Sequence, residues 1–238
     1  MSIWAIVPAA GIGLRMGSST PKQYLPLLGK PVLLHSLERL AAISGSDFAL
    51  QSIIVPVHHE DNWHQELPLG DLPIEFVPGG EERQESVMNA LYALKERATD
   101  EDWVLVHDAV RPCVQPGDIK LLLNKVSEHA CGGLLGAPVV STLKRVDSAS
   151  QVVATVDRSN CWQAYTPQVF RYGLLRQSLE QARAKAVPIT DEASAVEAAG
   201  FSPLLVEGDH LNIKITHESD LKLAEMILQQ QESNNGAN

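Results

Sequence analysis

Residues 3–24 read IWAIVPAAGIGLRMGSSTPKQY. The apolar run 3–7 is short enough for one buried strand. It passes at once into Pro8-Ala9-Ala10-Gly11-Ile12-Gly13, whose small side chains let a ligand come close to the backbone. Arg15 stands in the same turn region, and Pro21-Lys22-Gln23 closes it. A strand feeding a small-residue loop with two cations makes a cradle for a polyphosphate, because backbone N–H groups donate and Arg15 and Lys22 supply charge. The spacing is neither G-x-x-x-x-G-K-[ST] nor G-x-G-x-x-G, since Gly11-x-Gly13 is followed by Arg15, Met16 and Gly17. Alone, the stretch leaves two readings: a phosphate loop, or a tight strand-to-helix turn with solvent-facing cations.

Downstream, the order of strand, turn and helix recurs. Behind Pro31, apolar residues at 33, 34, 37, 40 and 41 predict a helix over 32–43. Apolar runs at 51–57, 74–77, 102–107 and 132–140 predict strands, and helical periods at 86–95 and 116–128 fall between the later ones. Strand, turn, helix in repetition is the order of an open, largely parallel sheet, with right-handed crossovers that put the turns along one edge. The rhythm breaks at 141–164. There STLKRV and VVATV flank a turn at 147–151 and read as a projecting hairpin. Beyond it come an apolar segment at 162–170, helices over 172–184, 190–199 and 218–230, and short strands at 203–207 and 212–215. Thr190 or Asp191 would cap the second of these helices. No repeat or long linker divides the chain. The expectation is one Rossmann-like, three-layer α/β domain over 1–238 with a mostly parallel sheet and a β-hairpin arm inserted at about 141–164.

Composition narrows the function. Of 238 residues, 45% are hydrophobic and 20% charged, which suits a sizeable core. The formal net charge is −10 with no basic stripe, which disfavours a general nucleic-acid binder but not a nucleotide. Cys113, Cys131 and Cys161 are odd in number and widely spaced, fitting neither a disulfide framework nor a zinc site. Reduced thiols, no signal-peptide pattern and no apolar run of membrane length give the expectation of a cytoplasmic protein without a membrane partner. Adjacent His58 and His59 would not face one way on a regular element and do not read as a metal pair.

Three groups of polar residues fall at or beyond expected strand ends: Arg15 with Lys22, Asp108 with Arg111, and Lys214 between Ile213 and Ile215. Open α/β sheets bind ligands along that edge. Four cations and one acid inside an acidic protein call for a phosphorylated guest. Asp108 can be read as a Mg²⁺ ligand, as a partner for a substrate hydroxyl, or as a cap before Pro112. Lys214 has a surface reading, Arg158 a pairing with Asp157, and Thr166, Thr190 and Glu192 have turn or cap readings.

In content and order, PAAGIGLRM (8–16), PKQY (21–24), GGEER (79–83), VHDAVRP (106–112), TVDR (155–158), TPQ (166–168), TDEAS (190–194) and NIK (212–214) resemble the cytidylyltransferases that act on 2-C-methyl-D-erythritol 4-phosphate in the non-mevalonate isoprenoid pathway. The resemblance spans nearly the whole chain. PAAG alone says only nucleotidyltransferase-like; HDAVRP with TDEAS is far more specific. The resemblance implies Mg²⁺-dependent transfer of the cytidylyl group of CTP to that substrate, giving the diphosphocytidyl product and pyrophosphate. The substrate phosphate would attack the CTP α-phosphorus in line. It implies that Arg15, Lys22 and Lys214 are catalytic and touch the triphosphate. Pro8, Ala9, Ala10, Gly11, Ile12, Gly13, Gly80, Glu81, Ser86, Asp108 and Ala109 would surround the nucleotide. Asp108, Arg111, Thr142, Arg158, Thr166 and Thr190 would meet the second substrate, while Mg²⁺ would be held mainly by the CTP phosphates.

The resemblance further implies a homodimer with interlocking arms, Arg158 acting in the neighbour's site. Glu81 stands where many relatives carry Asp, and Leu14 where some carry a second basic residue; neither removes the Arg15-Lys22 pair. The nearest rival is the cytidylyltransferase for ribitol 5-phosphate, against which PAAG and the TDEAS context count. A catalytically silent nucleotide-binding homologue is the alternative of another class, and retention of Arg15, Lys22, Asp108 and Lys214 argues against it. The missing G-x-G-x-x-G disfavours a dehydrogenase.

Overall fold

Alternation along the strands sorts the core into two layers. In β1 (Ser2–Ile6), Ile3 and Ala5 pack into the cluster on one face of the sheet, and Trp4 and Ile6 into the cluster on the other. The structure, a computed structural model, describes residues 1–11, 20–45 and 47–235. After β1, a 3₁₀ turn (Lys22–Tyr24) leads to a small hairpin, β2 (Pro26–Leu27) and β3 (Lys30–Pro31), then α1 (Val32–Ala41) and β4 (Ala49–Val57). Next come β5 (Ile74–Pro78), α2 (Arg83–Ala93), β6 (Trp103–Val106), α3 (Pro116–Ser127) and β7 (Gly132–Pro138). The arm is β8 (Leu143–Val146) and β9 (Val152–Val156). It returns through β10 (Trp162–Arg171) to α4 (Tyr172–Ala184), α5 (Glu192–Ala198), β11 (Leu204–Glu207) and α6 (Glu218–Asn235).

Seven strands form the main sheet in the order β11-β7-β10-β6-β1-β4-β5. β10 runs antiparallel to β6 and β7; the other pairings are parallel. The Rossmann-like, mostly parallel, three-layer expectation holds. Leu33, Leu37 and Leu40 of α1 and Ile119, Leu122 and Val126 of α3 cover one face. Val87 and Leu91 of α2, Leu175 and Leu179 of α4 and Val196 of α5 cover the other. From β1 the chain moves outward to β4 and β5, then crosses back to β6 on the opposite side of β1. That reversal opens a crevice at the carboxyl ends of β1 and β6, where doubly wound sheets take ligands.

Two expectations need correction. Residues 212–215 are not a strand: they pass beside the 108–111 turn, tied to it by the Ile215 amide donating to the Val110 carbonyl at 2.9 Å. Ile215 is buried with Ala224, Ile227 and Leu228 of α6, so packing rather than a ladder holds this segment. α2 starts at Arg83, three residues before its apolar period, because its first turn faces polar groups described below. For α5 the structure selects Asp191 as cap. Its carboxylate accepts from the Ser194 amide at 2.9 Å, while Ser194 Oγ accepts from the Asp191 amide at 3.2 Å. The arm pairs only within itself, Leu143 opposite Val156, and exposes Val146, Val152 and Val153. No helix among the described residues is long and apolar enough to cross a membrane.

Candidate active site

The crevice at the end of β1 and β6 is a cavity of about 170 Å³. Its walls are 8–11 after β1, Lys22 and Gln23, 80–83 with Ser86 after β5, 108–110 after β6, and Lys214. Local chemistry fixes each wall. Buried Gln23 Nε2 donates to the Ala9 and Gly11 carbonyls at 2.7 and 3.1 Å, holding the start of the small-residue loop against the 3₁₀ turn. Gly79 lies so close to this loop that a Cβ there would sit 2.4 Å from Ala10 Cβ, so only glycine fits. Ser86 Oγ accepts from the Gly80 amide at 3.0 Å and donates to the Glu82 carbonyl at 3.2 Å. The hydroxyl of Ser86 thus shapes the 80–82 turn.

Asp108 forms the floor and is the buried acid of the cleft. Arg83 Nε donates to Oδ1 at 3.2 Å; Arg111 Nε and Lys214 Nζ reach Oδ2 at 3.3 and 2.9 Å. Burial pushes the carboxyl up, but the charges of Arg83, Lys214 and Arg111 outweigh it and hold the group well below the usual carboxylate range. Arg83 spends its two terminal nitrogens on Glu192, at 2.6 and 3.0 Å, a bidentate pair with a carboxylate 1% exposed. Burial alone would lower the Arg83 pKa; Glu192 and Asp108 together raise it. At the far end, Lys22 Nζ makes a long 3.4 Å contact to the Ile215 carbonyl, beside Lys214.

Beneath Asp108 runs a relay with an assignable direction. The Arg111 carbonyl can only accept, so His107 Nε2, 3.1 Å away, carries the proton. Nδ1 is then an acceptor, and Thr166 Oγ donates to it at 3.1 Å. The same hydroxyl accepts from the Asp108 amide at 3.0 Å. Burial lowers the His107 pKa to about 4, which keeps the ring neutral. Asn212 closes the layer: its side chain donates to the Thr166 carbonyl at 2.9 Å, and its carbonyl accepts from Arg111 Nη1 at 2.7 Å.

Pro8, Ala9, Ala10, Gly11, Lys22, Gly80, Glu81, Ser86, Asp108, Ala109 and Lys214 therefore meet in one cleft. Ile12, Gly13 and Arg15 lie outside the described residues. Arg111 and Thr166 are buried under the floor, where they brace Asp108 rather than line the cavity. Thr190 borders a smaller hollow of about 110 Å³, lined also by Glu192, which shares Glu82 and Arg83 with the cleft as a common wall. Thr142 and Arg158 sit exposed on the arm and line neither space. Arg158 does not pair with Asp157: it donates to the Val140 carbonyl, and Asp157 accepts from Ser159. Sequence reasoning passed over Arg83, although it ends the GGEER segment. It also left Glu192 as a residue of the helix start. Neither residue carried a local signal, since the burial of Glu192 and its pairing with Arg83 exist only in the fold.

A family model described as 2-C-methyl-D-erythritol 4-phosphate cytidylyltransferase matches residues 3–230. The chain is similar to the protein so named from Hahella chejuensis, 49% identical over 95% of this chain and 92% of that one. Its counterpart in Azoarcus sp. is 48% identical, with 94% and 93% covered. Among solved structures, 2-C-methyl-D-erythritol 4-phosphate cytidylyltransferase from Francisella tularensis aligns with a TM-score of 0.81 at 36% identity, covering 95% of this chain and 100% of that one. The structure of the enzyme so named from Thermus thermophilus aligns at 0.78 with 30% identity, covering 96% and 100%. The small-residue loop, the buried acid under it and the arm all fall within the matched span, and the chain belongs to the 2-C-methyl-D-erythritol 4-phosphate cytidylyltransferase family.

Proposed function

We propose that the cleft binds CTP and that the chain transfers its cytidylyl group to 2-C-methyl-D-erythritol 4-phosphate, releasing pyrophosphate. The observation that carries this reading is the set of cations around one buried acid at the sheet edge: Asp108 with Arg83, Arg111 and Lys214, and Lys22 beside the last. The acceptor phosphate is already a nucleophile. What the site must supply is approach of two anions and neutralisation of charge as the α-phosphorus is attacked in line.

Lys214 and Lys22, on one side of the cavity, serve that role with Arg15 from the loop. The nucleoside rests between 8–11 and Gly80, Glu81 and Ser86, with Ala109 at its side; Ile12 and Gly13 are assigned to it from the sequence motif alone. Asp108 stays ionised and is no general base; it holds Lys214 in place and offers an acceptor to a polyol hydroxyl. Arg111 and Thr166 brace it, and Thr190 borders the polyol side.

Both Asp108 oxygens are engaged by cations, so the floor offers no free carboxylate cage for a hard metal. This fits magnesium that would enter with CTP and supply charge neutralisation at the triphosphate, with Lys22 and Lys214 as the cations of this chain that would hold the complex in the cleft. The exposed valines of the arm support its packing on a second copy, which would bring Thr142 and Arg158 to the neighbour's polyol site. Three free cysteines support a reducing, cytoplasmic setting.

The test is pyrophosphate release from CTP and Mg²⁺ with each polyol phosphate in turn. Release with the methylerythritol phosphate and little with ribitol 5-phosphate is expected. Equal or faster turnover of ribitol 5-phosphate would overturn the substrate assignment.

A further inference from the structure

Glu192 sits 1% exposed, and both its carboxylate oxygens are taken by Arg83. A buried ion pair of this kind costs desolvation that its attraction only roughly repays, so a plain structural staple would be replaceable by apolar packing. α5 does not depend on it. The Asp191–Ser194 capping box closes its first turn, and Gln168 of β10 accepts from the Ala193 amide at 2.8 Å and donates to Asp191 at 2.8 Å.

The pair does limit Arg83. With both terminal nitrogens on Glu192, the guanidinium meets Asp108 only through Nε, on Oδ1. Oδ2 is left to Lys214 and Arg111. Freed from Glu192, the fork of Arg83 would turn its paired donors onto Asp108 and compete for the oxygen that holds Lys214.

We propose that Glu192 is a positioning residue for the transfer reaction: by occupying the fork of Arg83 it keeps one Asp108 oxygen for Lys214 and fixes the wall between the cleft and the hollow beside Thr190. The inference rests on the functional reading above and extends it to a residue that touches neither substrate. Its effect should fall on the chemical step and on the polyol phosphate more than on CTP, whose remaining contacts lie on 8–11, Lys22, Gly80, Glu81 and Ser86.

The experiment compares Glu192→Gln and Glu192→Asp with the wild-type enzyme, varying CTP and methylerythritol phosphate separately, alongside direct CTP titration and thermal melting. Glu192→Gln, which keeps shape but loses charge, is expected to lose at least tenfold in kcat/KM for the polyol phosphate while the CTP dissociation constant stays within about twofold. Glu192→Asp should recover part of the loss. Arg83→Gln combined with Glu192→Gln should cost no more than the worse single variant, because the two act as one unit.

Wild-type kinetics in a folded Glu192→Gln protein would overturn the inference, as would an equal loss for both substrates. If Glu192→Gln fails to fold, Arg83→Lys, which can meet one acid but not both, takes its place with the same expected split. A wild-type protein inert on CTP with the methylerythritol phosphate would instead bring down the functional reading itself.

Discussion

Lys22 and Asp108 show how differently two charged residues of one cleft are held. Asp108 is buried under three cations and is fixed by geometry. Lys22 is half-buried at the mouth, its ammonium near the Ile215 carbonyl. Truncating Lys22 therefore costs little packing. Lys22→Ala should melt within a few degrees of wild type, yet single-turnover formation of the cytidylyl product should fall by a factor of about 100 or more, the scale for a lost charge at a phosphoryl centre. An unchanged single-turnover rate would remove Lys22 from the chemistry.

Asp108 was legible because it follows an apolar run, Lys214 because it sits between two isoleucines, and Lys22 because it closes the small-residue loop that the first apolar run feeds. Arg83 and Glu192 were not, because a bidentate pair between residues 109 apart leaves no trace in local spacing. Nor was the bracing role of Thr166, whose hydroxyl bonds His107 and the Asp108 amide, a fact of tertiary contact alone.

At the scale of elements, strands buried on both faces announced themselves as continuous apolar runs, and amphipathic helices as periods, so most elements were placed within a few residues. The failures have one cause. The 212–215 segment alternates like a strand but finds no ladder; it is held by α6, whose contribution lies beyond any local window. The direction of β10 was equally hidden, since an apolar run reads the same for either polarity. The arm was visible because its alternation differs from the runs around it, and its exposed valines give it a surface to bury.

If its partner is a second copy with shared sites, mixing Lys22→Ala and Arg158→Ala proteins should restore activity, since one site in each mixed dimer then holds both residues. Up to about a quarter of wild-type activity is the statistical ceiling for random reassortment of inactive variants. No recovery despite demonstrated subunit exchange would place both residues in a site built from one chain.

For the whole molecule, the buried polar layer sets the response to acid. His107 is neutral in the fold with a pKa of about 4, whereas an unfolded histidine titrates near 6.5. The unfolded chain takes up a proton that the fold refuses, so stability falls as pH drops through 6.5 toward 4; the loss is about 2 kcal/mol between pH 7.5 and 5. Asp108 acts with the same sign lower down: its depressed pKa gives stability that is present above the unfolded value and lost as pH falls through the folded one. Urea midpoints measured from pH 7.5 to 5 should therefore decline. His107→Asn, less stable at pH 7.5, should lose most of that slope; a wild-type midpoint flat over this range would refute the account.

The stems of the arm carry one more consequence. β7 and β10 are neighbours in the sheet, Pro138 stands opposite Trp162, and the Val139 amide donates to the Cys161 carbonyl at 3.0 Å. To the sheet, residues 140–160 are the loop of a hairpin. Insertions and deletions there leave every register of the seven-stranded sheet untouched, so this excursion can be lengthened, trimmed or re-sequenced without disturbing the main sheet. Its length is free to drift until a neighbouring molecule comes to depend on it.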